Sequence, residues 1–220
     1  HLTGTPAALE ELRLTLGVRY SEDEREIETA QSVAGFQFFS AQADDTWDNT
    51  STDFTVSYDI TDDVNVYGKY VEGYKTGGFN IRGTSVVAAT TPVSEETVGS
   101  WEAGIKSQFL DDRVRLNAAV FTSDYEDIQL SFAAIGDPTN TVLYNAGKAT
   151  IDGAERDLTA LITDSLLLTL GYGYLDASVD EVIDPATGAN LVNTAKYALP
   201  SAPENSFTAD LDYTFPSFGY

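Results

Sequence analysis

Apolar and polar residues alternate along several stretches of this chain. In Leu12 to Tyr20 every second residue is apolar, while Arg13, Thr15, Gly17 and Arg19 fill the positions between. A strand turns successive side chains to opposite faces, so this segment has one oily and one wet face. The pattern recurs. Trp101, Ala103, Ile105 and Phe109 oppose Glu102, Lys106 and Gln108. Leu116, Ala118 and Val120 oppose Arg115 and Asn117, and Phe207, Ala209, Leu211, Tyr213 and Phe215 oppose Thr208, Asp210, Asp212 and Thr214. The predicted strands are Leu12–Tyr20, Phe54–Ile60, Val64–Tyr74, Trp101–Phe109, Val114–Tyr125, Ile151–Leu161 and Leu166–Tyr174, with an eighth starting near Ser206.

The connections alternate in length. Short turns sit at Thr61-Asp62-Asp63, Leu110-Asp111-Asp112-Arg113 and Thr163-Asp164-Ser165. Long polar connections cover residues 21–50, 75–96, 126–149 and 177–205 and read as solvated loops. Short turns at one rim and long loops at the other are the plan of an outer-membrane β-barrel, with the oily face toward lipid and the charged face lining a wet lumen. Tyr20, Tyr58, Tyr70, Tyr74, Trp101, Tyr125, Tyr172 and Tyr174 cluster at strand ends, as interfacial aromatic girdles do. A soluble sheet capped by aromatics is the alternative that pattern leaves open. The expected fold is all-β: an antiparallel up-and-down transmembrane barrel wall.

Composition narrows the function. The 220 residues carry 35 acidic and 12 basic side chains, a net charge of −23. Binding nucleic acid needs clustered Lys and Arg, so a nucleic-acid partner is excluded. There is no Cys, hence no disulfide framework or thiolate site. The only His is His1, so neither a Ser-His-Asp triad nor a zinc-type cluster can be built in a folded core, and no enzyme is expected. No run reaches about 18 consecutive apolar residues, so no transmembrane helix is expected. The start lacks a basic segment followed by an apolar one, as a mature chain or a fragment would.

Four candidate chemistries remain. Thr76-Gly77-Gly78 lacks the spacing and Lys of a phosphate loop and reads as a bend from strand to loop. Asp44, Asp45 and Asp48, and likewise Asp180, Glu181 and Asp184, could offer oxygens to Ca²⁺, although solvated acidic loops look the same; no metal site is assigned. Glu95 and Glu96 are adjacent, and a strand would point them oppositely, which disfavours paired-carboxylate chemistry. The candidate ligand-binding residues are Tyr74, Lys75, Phe79, Asn80 and Arg82, where a lumen-lining strand enters an outer loop. Aromatic rings beside a cation suit an anionic, aromatic chelate. Interfacial anchoring and loop solvation are the plain alternative for the same residues.

Several segments in order resemble TonB-dependent outer-membrane receptors. They are Tyr67-Gly68-Lys69-Tyr70-Val71-Glu72-Gly73-Tyr74-Lys75-Thr76-Gly77-Gly78-Phe79-Asn80, Ser100 to Ser107, Arg115 to Phe121, Asp124 to Gln129, Asn145 to Ala149, Gly153-Ala154-Glu155 and Gly171 to Tyr174. The resemblance implies that the chain supplies about eight strands of a larger barrel of about 22. It also implies a lumen plug, absent from residues 1–220, and a break at a periplasmic turn near Phe215. Such a receptor takes up an iron–siderophore or similar nutrient complex, needs no cofactor of its own, sits in outer-membrane lipid of a Gram-negative bacterium and is energised by the TonB complex. A passive porin-like channel and a soluble secreted glycan-binding β-domain are the alternatives. Arg156 departs from the pattern, standing where an apolar residue is usual, and is expected near a rim.

Overall fold

The computed structural model describes residues 2–4, 10–134, 137–192, 199 and 201–215. These form one nine-stranded antiparallel sheet whose spatial order equals chain order. The strands are β1 (Leu2–Gly4), β2 (Leu12–Val33), β3 (Phe36–Thr61), β4 (Val64–Lys75), β5 (Glu96–Phe109), β6 (Val114–Ala134), β7 (Asp137–Thr163), β8 (Leu166–Val182) and β9 (Asn205–Tyr213). One short helix, α1 (Val86–Thr90), lies between β4 and β5. No helix among the described residues is long and apolar enough to cross a membrane, which leaves strand-built crossing open. Eight strands match the expected set, and the ninth, β1, is a three-residue partner for β2, with Leu2 opposite Leu16.

The register keeps the two faces separate from strand to strand. One continuous row runs Leu16, Phe54, Tyr70, Trp101. Another runs Val66, Ile105, Ala118, Arg156, Tyr172, Phe207. Tyr70 and Trp101 pack at 4.7 Å between ring centroids on this apolar face. The opposite face aligns Arg13 with Ser57, Lys69 with Glu102 and Lys106 with Asn117. Along it Lys69 pairs with Glu102 at 2.9 Å, and the Tyr67 hydroxyl donates to Glu102 at 2.6 Å. Tyr67 lies flat over Gly104: a Cβ there would stand 2.6 Å from the ring. Only glycine lets an aromatic lie so close to the neighbouring backbone. The apolar face stays exposed in the isolated sheet, Trp101 by 58 % and Val120 by 58 %. This wall therefore has no packed core of its own, and burial of that face needs lipid.

One expectation is corrected. Residues 21–50 and 126–149 are not loops: β2 pairs with β3 up to Val33 opposite Phe36, and β6 pairs with β7 up to Ala134 opposite Asp137. Above the bilayer both faces meet water, so apolar alternation vanishes while the ladder hydrogen bonds continue. The register also sets the position of Arg156. It lies seven residues (163 − 156) from the end of β7, opposite Ala118 and Tyr172 on the apolar face. That is roughly 23 Å along the strand, or roughly 18 Å in height at a tilt of about 40°, the upper half of an apolar band about 25 Å tall.

Candidate functional site

The site forms where β4 and β5 stop pairing, at Lys75 opposite Glu96. The connection folds back as a compact unit instead of extending as a ladder. Gly78 and Val93 exchange backbone hydrogen bonds at 3.2 and 2.9 Å and close it. Within it Ser85 caps α1, its hydroxyl accepting from the Ala88 amide at 3.2 Å. Gly83 passes so close to α1 that a Cβ would stand 2.6 Å from its backbone. Ala88, Ala89 and Val93 are buried.

The unit rests on Trp47, which β3 carries on the polar face of the sheet opposite Asp23, three residues beyond the pairing of Tyr20 with Thr50. Trp47 is 7 % exposed, and its ring meets Phe79 edge-on at 5.8 Å. Gly77 fits beneath it; a Cβ would be 2.0 Å from the Trp47 Nε1 and 2.2 Å from the Val93 carbonyl. Ile27 and Ala41 are buried on the same β2–β3 hairpin. Burial of the indole and its edge-on ring partner is the chief apolar term holding the unit inward, the ring pair adding about 0.5–1.5 kcal/mol beyond area.

Side-chain amides hold the other flank. An irregularity in β6 between Tyr125 and Ile128, with Asp127 at φ 54°, brings Gln129 directly opposite Asn145 on β7. Bulges of this kind re-aim side chains. The Gln129 Nε2 donates to the carbonyls of Thr76 at 3.0 Å and Ser94 at 2.9 Å, so it grips both ends of the connection. The Asn145 Nδ2 donates to the carbonyls of Ser94 and Asp127, each at 2.9 Å, and its Oδ1 accepts from the Ser94 amide at 2.8 Å. The Glu96 Oε2 accepts from Lys75 at 3.2 Å and from the Gln129 amide at 3.1 Å.

The five residues singled out by sequence are thus brought together, four of them with internal partners. The Tyr74 hydroxyl donates to Asp23 at 2.7 Å. Lys75 pairs with Glu96, and Phe79 packs on Trp47. The Asn80 amide donates to the Thr141 carbonyl, while its Oδ1 accepts from the Arg82 amide. Arg82 is exposed, and no acid among the described residues forms an ion pair with its guanidinium. Sequence reasoning missed Trp47, Gln129 and Asn145. A lone Trp flanked by Asp44, Asp45 and Asp48 was the available signal for the first; the two amides had none. The acidic groups do not converge: among the described residues no three carboxylate or imidazole side chains are placed to hold a metal ion. Asp44 and Asp48 sit on one face of β3 and Asp45 on the other, while Asp180 accepts from Thr150 and Ser178.

With this geometry in hand, comparison with known proteins is direct. The family model for the TonB dependent receptor-like β-barrel matches residues 7–220. The chain is 34 % identical over 139 residues to the pesticin receptor of Yersinia enterocolitica, an alignment covering 63 % of this chain and 20 % of that protein. It is 25 % identical over 206 residues to a probable TonB-dependent siderophore receptor, PiuA, of Acinetobacter baumannii, covering 89 % of this chain and 26 % of that protein. The ferric yersiniabactin uptake receptor FyuA from Yersinia pestis superposes with a TM-score of 0.75 at 23 % identity, over 95 % of this chain and 30 % of that one, a likeness of fold. The chain spans about a fifth to a quarter of the length of the curated relatives it matches.

Proposed function

The chain belongs to the TonB-dependent receptor β-barrel family of the outer membrane of Gram-negative bacteria, and on that premise we propose that it serves active uptake of an iron–siderophore or similar nutrient complex. Its family is one of receptors, not of enzymes. On this reading residues 1–220 belong to a single barrel domain. The TonB complex acts through a plug, none of which lies within these residues. The observation that carries the reading is the inward-folded connection 76–95, which presents Arg82 with no ion-pair partner among the described residues, on a chain of net charge −23. An anionic chelate would meet that guanidinium at the mouth, flanked by Tyr74, Lys75, Phe79 and Asn80. A charge-assisted contact of this kind is among the stronger polar interactions. The relatives named as siderophore receptors support the ligand class.

The test is ⁵⁵Fe uptake by an iron-starved host that lacks its own receptors and expresses the full receptor. Uptake of at least one ferric chelate that stops when TonB is deleted is the expected result. Uptake that continues without TonB would make the barrel a passive channel and overturn the reading. The predicted weakening with Arg82→Ala is about tenfold, the loss of roughly 1.4 kcal/mol of binding.

A further inference from the structure

High on the polar face, β5 to β8 enclose a hollow of about 370 Å³. Tyr125, Ala149, Ile151 and Leu175 line it from the strands, and Leu199 and Ala202 from the connection that follows β8. The register sets these side chains on the lumen side: Tyr125 stands opposite Val98, Ile151 opposite Ser123 and Leu175 opposite Gly153, in the same set as Glu102 and Lys106. Immediately below, that face turns polar with Glu155 and Asp157. The hollow is therefore an apolar recess in a wet wall, where no lipid can cover it.

We propose that this recess binds an aromatic ring carried by the transported ligand; the proposal rests on the receptor reading above and names the ligand's chemical class. Three observations select a ring over other occupants. Among the described residues, the only charged one lining the recess, Glu96, already accepts from Lys75 and from the Gln129 amide, so a charged group would find no free partner among them. A cavity of roughly 150 Å³ lined by apolar side chains holds benzene, and this one has room for a ring with its linker. A protein partner needs roughly 800 Å² of surface on each side, far more than a recess of this size offers. Lys75 lies at the edge, 3.2 Å from Glu96. A ligand with its ring in the recess thus keeps its charged chelate beside Lys75, on the side of the 76–95 connection that displays Arg82.

The chain contains no Cys, so one engineered thiol reports on one place. In the full receptor purified in detergent, Ile151→Cys is modified with a methanethiosulfonate reagent, with Leu175→Cys as a second reporter should the first fail to fold. Two probes are compared: ferric tris(2,3-dihydroxybenzoate), which carries rings, and ferric tris(acetohydroxamate), which does not. Binding of each to the unlabelled receptor is measured separately by fluorescence quenching. The expected result is that the ring-bearing probe slows modification at least fivefold at saturation, while the ring-free probe changes it less than twofold. A ring-bearing probe that binds without protecting either thiol, or equal protection by both probes, would overturn the ring site and leave the receptor reading intact. If neither chelate binds at all, the ring site fails, while the receptor reading is decided separately by the TonB dependence of uptake.

Discussion

Two connections leave the same rim of the sheet and end differently. The β2–β3 pair continues upward as an extended ladder for more than ten residues beyond Tyr20, closing in the tight turn at Ala34 and Gly35, with φ of 51° and 84°. The β4–β5 pair stops at Lys75 opposite Glu96, and its connection folds onto the polar face. The ladder needs only backbone pairing, so almost any polar sequence sustains it. The folded connection has few backbone bonds of its own and is held from outside, by one indole and two amides that arrive from β3, β6 and β7. Local pairing builds reach; non-local side chains build the mouth. Removing each kind of support separately should therefore separate the two.

The largest effect is expected at Trp47. Trp47→Ala removes a buried indole, a change that costs about 3–5 kcal/mol in a packed site. Its loss should fall on the 76–95 unit, because the β2–β3 ladder is held by backbone bonds that the substitution spares. Amide exchange should accelerate at Gly78 and Val93, whose mutual hydrogen bonds close the unit, and stay slow in the ladder between Glu24 and Glu28. Equal acceleration in both places would mean that mouth and ladder are one cooperative body.

Asn145→Ala is the next step down. It removes the donor to the exposed Asp127 carbonyl, one of the two donors to the Ser94 carbonyl, and the acceptor of the Ser94 amide. Water can replace each partner, so the cost is the net worth of each bond, about 0.5–1.5 kcal/mol. Protease cleavage within 80–92 should rise several-fold while the heat-modifiable gel shift of the barrel is retained. A variant as resistant as the parent would show that Gln129 and Trp47 suffice.

Legibility from sequence follows the same division. Period-two alternation identified the strands between Leu12 and Leu211, because lipid on one side and water on the other write the pleat into residue type. The faces assigned to Trp101, Ile105, Leu116 and Val120 against Glu102, Lys106, Arg115 and Asn117 agree with the register. The signal ended where lipid ends, so the upper parts of β2, β3, β6 and β7 looked like loops. The grip of Gln129 and Asn145 on Ser94 spans 35 and 51 residues and leaves no local trace. The site segment itself was legible through its Tyr, Lys, Phe and Arg, but what holds it was not.

Arg156 tests the wall at a smaller scale. It is the one cation in the row of Ala118, Tyr172 and Phe207, and no ion pair to it forms among the described residues. A cation at the bilayer midplane of a barrel costs about 2–4 kcal/mol, falling to about 0–1 near the interface. At its height in the upper band, Arg156→Leu should stabilise the full barrel by about 1–2 kcal/mol, read as a higher urea midpoint in phospholipid vesicles. A lower midpoint would mean that the guanidinium holds a lipid headgroup and is not merely tolerated.

The smallest effect lies in the fourth long connection, whose tight turn follows β8. There the Asp184 carboxylate accepts from the Ala186 amide at 2.8 Å and from the Thr187 hydroxyl at 2.9 Å. The amide of Ala186 is the chief cause of a pKa held below the ordinary aspartate value, with Thr187 second. A depressed folded pKa means that the unfolded turn binds the proton more readily, so the contribution is fully present above the ordinary aspartate pKa. It is lost as pH falls through the lower, folded value. Because the group is exposed, the consequence is local: the turn at 184–188 should loosen only as pH falls below the ordinary aspartate pKa, while Gly78 and Val93 keep their protection. Carboxyl carbon shifts followed by NMR would give the titration directly. In Asp184→Asn the acid-induced change at Ala186 should vanish. Unlike the amide grip on Ser94, this turn is written locally, and its acid sensitivity should therefore not spread to the mouth. If acid opened both connections together, the division between locally built reach and remotely held mouth would fail.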